Sequence, residues 1–228
     1  MNDILPLLQK QSDLEKAFVA EAAGKPEPSS GWTPTMTMFH LAMWRERLWN
    51  GLTEAAAERP VNAPPGNIDE LNDAEMAAAE GVSLADAAER CRASLTSIIA
   101  MWEAMGDRPM SWYLAESTGE AILRNSYWHP RIHLADQFLK WGEAARSERL
   151  IDETVSELRA IKAPGRILGA AVYHLAGVRA RQLRTDEALD LLEDGLAMRE
   201  DLRAGAAGDE DFASLRGEPR FRALTATN

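Results

Sequence analysis

The 228-residue chain is 46% hydrophobic and 27% charged, which is ordinary for a globular protein with a real core. Its formal net charge of −11 argues against nucleic-acid and anionic-membrane partners, and no apolar stretch reaches the roughly 18 residues of a membrane span. With a single cysteine, Cys91, and no signal-peptide pattern in its first residues, the protein is expected in the cytoplasm.

Helix-forming residues dominate the chain and β-branched residues are sparse, so we predict an all-α fold. In the N-terminal part, apolar residues recur at helical spacing in four regions. These predicted helical regions are 4–23, 33–57, 68–105 and 125–142. The last of them is expected to begin near Asn125, because Pro130 is tolerated only in the first turn of a helix. Residues 111–123 are predicted as a loop with room for a short helix.

Two local signals refine the helix boundaries. A hydroxyl cap followed by a proline, at residues 33–34, is typical of a helix start. The third region is interrupted at residues 81–83, where Ser83 with Asp86 resembles a new helix cap. We therefore expect a kink or two stacked helices within that region.

The C-terminal part carries three further predicted helices, at 148–163, 166–183 and 185–198, followed by a final irregular segment. The pair of helices at 166–198 has no counterpart earlier in the chain, so a repeat solenoid is excluded. We predict two domains: a helical bundle over residues 1–147 and a small helical extension over residues 148–228.

Histidine is rare in this chain, with four residues, and its placement suggests a metal site. His129 and His133 lie four residues apart on one predicted helix, so their imidazoles share a face about 6 Å apart, within reach of one ion. His40 interrupts a nearly continuous apolar face, and a third ring nitrogen from a facing helix would complete a three-ligand site with open positions. An exposed histidine pair and a hydrogen-bonded core histidine explain the same pattern about equally well. His174, in the extension, is left out of the site.

Neighbouring residues suit such a site. Asp136 shares the face of the histidine pair, so its carboxylate is placed to orient an imidazole or to act as a fourth ligand; an ordinary surface aspartate is an equal alternative. Trp44, one turn beyond His40, and Trp128, directly before His129, are candidate pocket walls, although aromatic residues at helical spacing are more often core. No glycine-rich phosphate loop, HExxH, CxxC or nucleophile elbow offers a competing chemistry.

The order of these motifs resembles a known family. Residues 31–34 (Gly-Trp-Thr-Pro) and 39–44 (Phe-His-Leu-Ala-Met-Trp) resemble the start of the second helix of DinB-like four-helix bundles. Residues 125–133 resemble the segment that supplies the second and third histidines of that family, and residues 67–72 resemble its ClbS/DfsB branch. The likeness covers roughly residues 1–145.

The resemblance implies an up-down four-helix bundle in which His40, His129 and His133 hold one divalent ion, zinc or nickel. Members of this superfamily are described as metalloenzymes; some are thiol-dependent transferases or isomerases, and ClbS-type members hydrolyse a reactive genotoxin. We therefore expect a metal-dependent transferase or hydrolase that acts on a small electrophilic molecule. A low-molecular-weight thiol is a further candidate cofactor.

The C-terminal part resembles a different structure. Residues 175–192 are similar to one tetratricopeptide unit, and residues 209–221 are similar to the segment that often closes such arrays, although Arg179 stands where the repeat usually has tyrosine. One repeat is too short to form a peptide-binding groove, so we expect a packing or dimerising appendage.

Two other functions fit the same residues. A binding protein would hold a ligand or a metal without turnover, and an interaction scaffold would use the extension as its partner surface. The acidic charge and apolar helix faces are compatible with a homodimer without requiring one. The sequence leaves the substrate and the reaction open.

Overall fold

The computed structural model describes residues 4–28, 30–64 and 66–226, and within them the predicted all-α class is confirmed. Helices account for 75% of the structure, and the strands in the described ranges form one small two-stranded sheet. The chain divides into two compact units, of which the first ends at Ser147 and the second begins at Glu148. None of the helices in these ranges combines the length and the apolar character that crossing a membrane requires.

In the described residues of the first unit, five α-helices, one of them short, precede residue 129 and a sixth begins at His129. Its elements are α1 Leu5–Ala22, α2 Pro34–Ala56, α3 Ile68–Ala78, α4 Leu84–Met105, β1 Pro109–Trp112, β2 Ala115–Ser117, α5 Thr118–Leu123, a π-helical segment Arg124–Trp128, and α6 His129–Lys140. The predicted helices at 4–23 and 33–57 correspond to α1 and α2. The interrupted region at 68–105 consists of two separate helices, α3 and α4.

Both predicted helix caps are present. The Thr33 side chain accepts a hydrogen bond from the Met36 backbone N–H at 3.2 Å, which begins α2. The Ser83 hydroxyl accepts from the Asp86 backbone N–H at 3.1 Å, which begins α4. These hydroxyls satisfy amide groups that have no partner within the first helical turn.

Residues 111–123, predicted as a loop with room for a short helix, contain a short helix, α5, but the loop before it is wrong, because β1 and β2 form an antiparallel hairpin there. The two-residue turn uses Tyr113 with a φ of 52°, in the left-handed region, where sequence signals for hairpins expect glycine or asparagine. Gly51 on α2 lets this hairpin approach closely: a Cβ at that position would lie 3.0 Å from the Trp112 indole.

The prediction that a helix begins near Asn125 is also wrong. One continuous helix runs from Thr118 to Lys140 and passes through a π-helical turn in which the His129 N–H donates to the Arg124 carbonyl, five residues earlier. Pro130 therefore lies inside a helix, although it has no N–H to donate to the Ser126 carbonyl four residues before it.

A buried polar network occupies the middle of the first unit. The Arg45 guanidinium, on α2, is 0% exposed and donates to both carboxylate oxygens of Glu15 on α1, at 2.6 and 2.9 Å. It also donates to the Cys91 carbonyl and sulfur on α4, at 3.3 and 2.9 Å, and to the Ser126 carbonyl of the π-helical segment at 3.4 Å. One guanidinium on α2 thus contacts three other helical segments. Burial raises the pKa of the Cys91 thiol, which is a packed residue of this network.

The second unit follows along the chain. Its elements are α7 Ala144–Ala160, which begins before the boundary, α8 Gly165–Arg181, α9 Thr185–Met198, a 3-10 turn Glu200–Leu202, α10 Arg203–Ala206, a 3-10 turn Glu210–Leu215, and α11 Pro219–Thr225. Helices α8 and α9 match the predicted pair, and α7 begins four residues earlier than predicted.

The core of the second unit consists of small and large apolar side chains from α8, α9 and the final segment. They are Ala176, Ala180, Ala188, Leu189, Leu192, Leu196, Phe212, Leu215 and Phe221. Gly195 allows a close crossing of α9 on α8, since a Cβ there would lie 3.1 Å from the Tyr173 backbone nitrogen. Arg179 is buried and donates to Glu148 and Asp152 of α7, at 2.8 and 2.5 Å. This arginine is therefore anchored by carboxylates. The likeness to a tetratricopeptide unit stays a prediction.

We expect Arg45→Met to destabilise the first unit by about 3–5 kcal/mol, because it leaves the Glu15 carboxylate buried without its partner. Urea unfolding followed by tryptophan fluorescence measures this directly, since all seven tryptophans precede residue 148. The double variant Arg45→Met/Glu15→Met should lose less stability than the two single variants added together.

Arg92→Met is the matched control. The Arg92 guanidinium pairs with Glu89 on the exposed surface of α4, so this substitution should leave the unfolding midpoint unchanged. Strict additivity of the Arg45 and Glu15 substitutions would contradict the coupling.

Candidate metal centre

The structure brings the three predicted ligand residues together. The His129 Nε2 atom lies 2.9 Å from His133 Nε2 and 3.3 Å from His40 Nε2, and one ring nitrogen from each residue falls within 4.8 Å of the others. His40 comes from α2, while His129 and His133 are at the start of α6. Among the histidine, cysteine and acidic side chains of the described residues, these three histidines form the group whose spacing suits a metal ion.

The spacing fits one shared divalent ion. Nitrogens that bind a tetrahedral ion at about 2.0–2.1 Å lie about 3.3 Å apart, close to the separations seen here. Hydrogen bonding alone does not satisfy the cluster, because His129 Nε2 carries either one N–H or one lone pair yet approaches two other nitrogens. The donor set is therefore suited to a cation, although that these residues bind one stays a prediction.

The surroundings of His40 and His129 keep these two rings neutral, which is the form that binds metal. Burial is the main cause that lowers the pKa of His40 to about 4, and the nearby positive charge of Arg47 contributes to it. Burial also lowers the pKa of His129 well below its ordinary value, with the neighbouring His133 and His40 adding to the effect. At neutral pH both rings have a lone pair available.

The π-helical turn sets the direction in which the second and third histidines point. It widens the helix by one residue immediately before His129. Pro130 has no N–H, so it cannot donate to the Ser126 carbonyl inside this turn. That carbonyl accepts a hydrogen bond from buried Arg45 at 3.4 Å instead. The central polar network therefore contacts the segment that presents His129 and His133.

Trp32 covers one side of the cluster, and its role was missed in the sequence. Its ring stacks on His133 with centroids 5.1 Å apart and lies 4.6 Å from the His40 ring. Two α6 side chains hold its backbone carbonyl: Gln137 Nε2 donates to it at 2.8 Å and Lys140 Nζ at 3.0 Å. Trp32 belongs to the motif at residues 31–34, which indicates the start of α2 and the family resemblance but does not indicate that the Trp32 ring packs on the histidines.

The three predicted neighbours lie in different places. Trp44 is close to the cluster, with its ring centroid 6.3 Å from that of His40 and 6.1 Å from that of His129. Asp136 lines a cavity of about 240 Å³ beside His133. Trp32, Thr37 of α2 and the α6 residues Gln137 and Lys140 complete its lining. Trp128 is half-buried in the π-helical turn, and its part in a pocket stays a prediction, as does that of Asp136 as a ligand or orienting group.

A carboxylate that the sequence analysis did not select lies behind His40. Glu75, on α3, is 3% exposed, and its Oε2 is 3.3 Å from His40 Nδ1. Its other oxygen contacts the guanidinium of Arg47. Glu75 therefore contacts the ring nitrogen of His40 that faces away from the other two histidines.

No protein-family model, curated protein or solved structure matches the chain.

The fourth histidine lies in the second unit and provides a test of pH dependence. Burial lowers the pKa of His174 to about 4, and the charge of Arg181 adds to this effect. The folded unit therefore binds fewer protons than the unfolded chain between about pH 4 and pH 6.5, so stability is complete above pH 6.5 and falls as the pH drops through this window.

We expect His174→Gln to flatten this dependence by on the order of 1–2 kcal/mol between pH 7 and pH 4.5, since glutamine does not titrate. Urea unfolding followed by far-ultraviolet circular dichroism at several pH values, on both proteins, measures the difference. Parallel pH profiles for the two proteins would show that His174 is not responsible.

Proposed function

We propose that this protein is a divalent-metal-dependent enzyme of the DinB-like kind, acting on a small electrophilic molecule as a transferase or hydrolase. His40, His129 and His133 would hold the ion, with zinc or nickel the best-suited metals for imidazole ligands. A low-molecular-weight thiol or a water molecule would be the nucleophile. The cytoplasm is the proposed location.

The observation that carries this proposal is the convergence of three imidazoles on one point. The Nε2 atom of His129 lies 2.9 and 3.3 Å from the Nε2 atoms of His133 and His40, and one ion bound by all three nitrogens would account for both short separations. Three protein ligands also match the usual arrangement of catalytic sites, which leave a coordination position open, whereas structural zinc sites are closed by four.

The ion and the protein would contribute different parts of the chemistry. A bound divalent ion supplies a Lewis acid that lowers the pKa of a water or thiol in its open position. Trp32 and Trp44 place apolar ring faces beside the histidines, which limits access of bulk water and favours a substrate with apolar surface. The cavity beside His133, which Asp136 and Lys140 line, offers polar groups to a substrate.

We expect tag-free protein to contain about one equivalent of divalent metal, and His129→Ala to lose it, because His129 Nε2 approaches both other ligand nitrogens. Elemental analysis by mass spectrometry after gel filtration is the measurement. His174→Ala is the matched control, since it removes the one histidine outside the cluster and should keep the metal. Equal metal content in the wild type and His129→Ala would overturn the proposed ligand set.

Turnover distinguishes an enzyme from a binding protein with the same metal site. Metal-loaded protein would be incubated with a panel of electrophiles, with and without low-molecular-weight thiols, and the products counted. Product in excess of protein that disappears in His129→Ala supports the enzyme. Stoichiometric capture without release would favour the binding protein.

A further inference from the structure

We infer that Glu75 is a positioning residue of the metal centre: its carboxylate lies 3.3 Å from His40 Nδ1 and is placed to hold the ring with Nε2 toward His129 and His133. This inference rests on the proposed metal site and adds a third helix, α3, to the two that carry its ligands. The role concerns orientation, since Glu75 contacts the side of the ring opposite to the other two histidines.

The distances define this role. His40 Nδ1 lies 3.3 Å from Glu75 Oε2, while His40 Nε2 lies 3.3 Å from His129 Nε2. The two nitrogens are on opposite sides of one imidazole, so a carboxylate that approaches Nδ1 cannot ligate an ion held at Nε2. A neutral ring carries one N–H, and an acceptor at Nδ1 favours the tautomer in which Nε2 has the free lone pair.

The burial of Glu75 argues against a role on the surface. It is 3% exposed, and a carboxylate removed from water is costly unless an opposite charge compensates for the loss. Arg47 supplies that charge through its contact with Glu75 Oε1. A purely structural ion pair would need only Arg47, whereas here the second oxygen of the carboxylate faces His40.

The placement of α3 on α2 is consistent with this function. His40, Trp44 and Arg47 occur at positions i, i+4 and i+7 of α2, on the face that meets α3. From α3, Asn72 accepts a hydrogen bond from the Trp44 indole N–H at 3.2 Å, and Glu75, one turn further, faces His40 and Arg47. These three polar contacts thus involve His40 itself and two other side chains of the same face of α2.

Glu75→Gln tests the inference in the full-length, tag-free protein. Titration of metal-free protein with Co²⁺, followed by its visible absorption bands, should give a Kd that rises about 10- to 100-fold with one site retained. Glu75→Asp, which keeps the charge, should recover part of the affinity. Glu70→Gln, an exposed glutamate of the same helix, is the matched control and should bind like the wild type.

A second measurement needs neither a variant nor a metal. Nitrogen-15 NMR of the metal-free wild type reports the tautomer of each histidine, and we expect His40 to carry its proton on Nδ1. A His40 proton on Nε2, or a Co²⁺ affinity of Glu75→Gln within twofold of the wild type, overturns the inference. If the wild type binds no Co²⁺ the proposed function fails instead, and the His40 tautomer still decides the role of Glu75.

Discussion

The buried ion pair of Arg45 and Glu15 constrains the arrangement of the first unit more than any other contact. An unpaired charge at that depth would be very costly, so the helices that carry the two residues, α2 and α1, must keep the register that joins them. The same guanidinium reaches a carbonyl of α4 and one of the π-helical turn. Apolar packing tolerates small rotations of a helix, whereas this set of directional contacts does not.

The histidine cluster depends on that register. His40 lies on the same helix as Arg45, five residues earlier, and His129 follows the π-helical turn that Arg45 contacts. The Arg45 network therefore constrains how α2 and α6 are rotated about their own axes. This rotation decides whether His40 faces His129 and His133. Buried polar groups of this kind contribute specificity of arrangement at the expense of stability.

The features that could be predicted from the sequence are those that short segments determine by themselves. The caps at Thr33 and Ser83 and the amphipathic spacing of α1 and α2 are properties of short segments, and they gave correct helix starts. The i and i+4 spacing of His129 and His133 likewise follows from one helix. The pairing of these residues with His40 required the order of motifs along the chain, because no local signal says which helices face each other.

The remaining features depend on contacts between distant segments. The hairpin turn at Tyr113 has a left-handed backbone without glycine, so the usual turn signal is missing. Glu75 lies in an acidic stretch with exposed carboxylates on either side, and only the packing of α3 on α2 shows that this one faces inward. Asp136 was selected because it shares a helix with two histidines, whereas the carboxylate that contacts His40 comes from another helix.

The π-helical turn has an evolutionary consequence. Such a turn holds one residue more than the α-helical turn it replaces, so it is equivalent to a single inserted codon in an otherwise regular helix. Because each residue rotates an α-helix by about 100°, loss of that codon would turn His129 and His133 away from His40 without changing either residue. An ancestral bundle could therefore have acquired or lost this histidine cluster through one in-frame insertion or deletion.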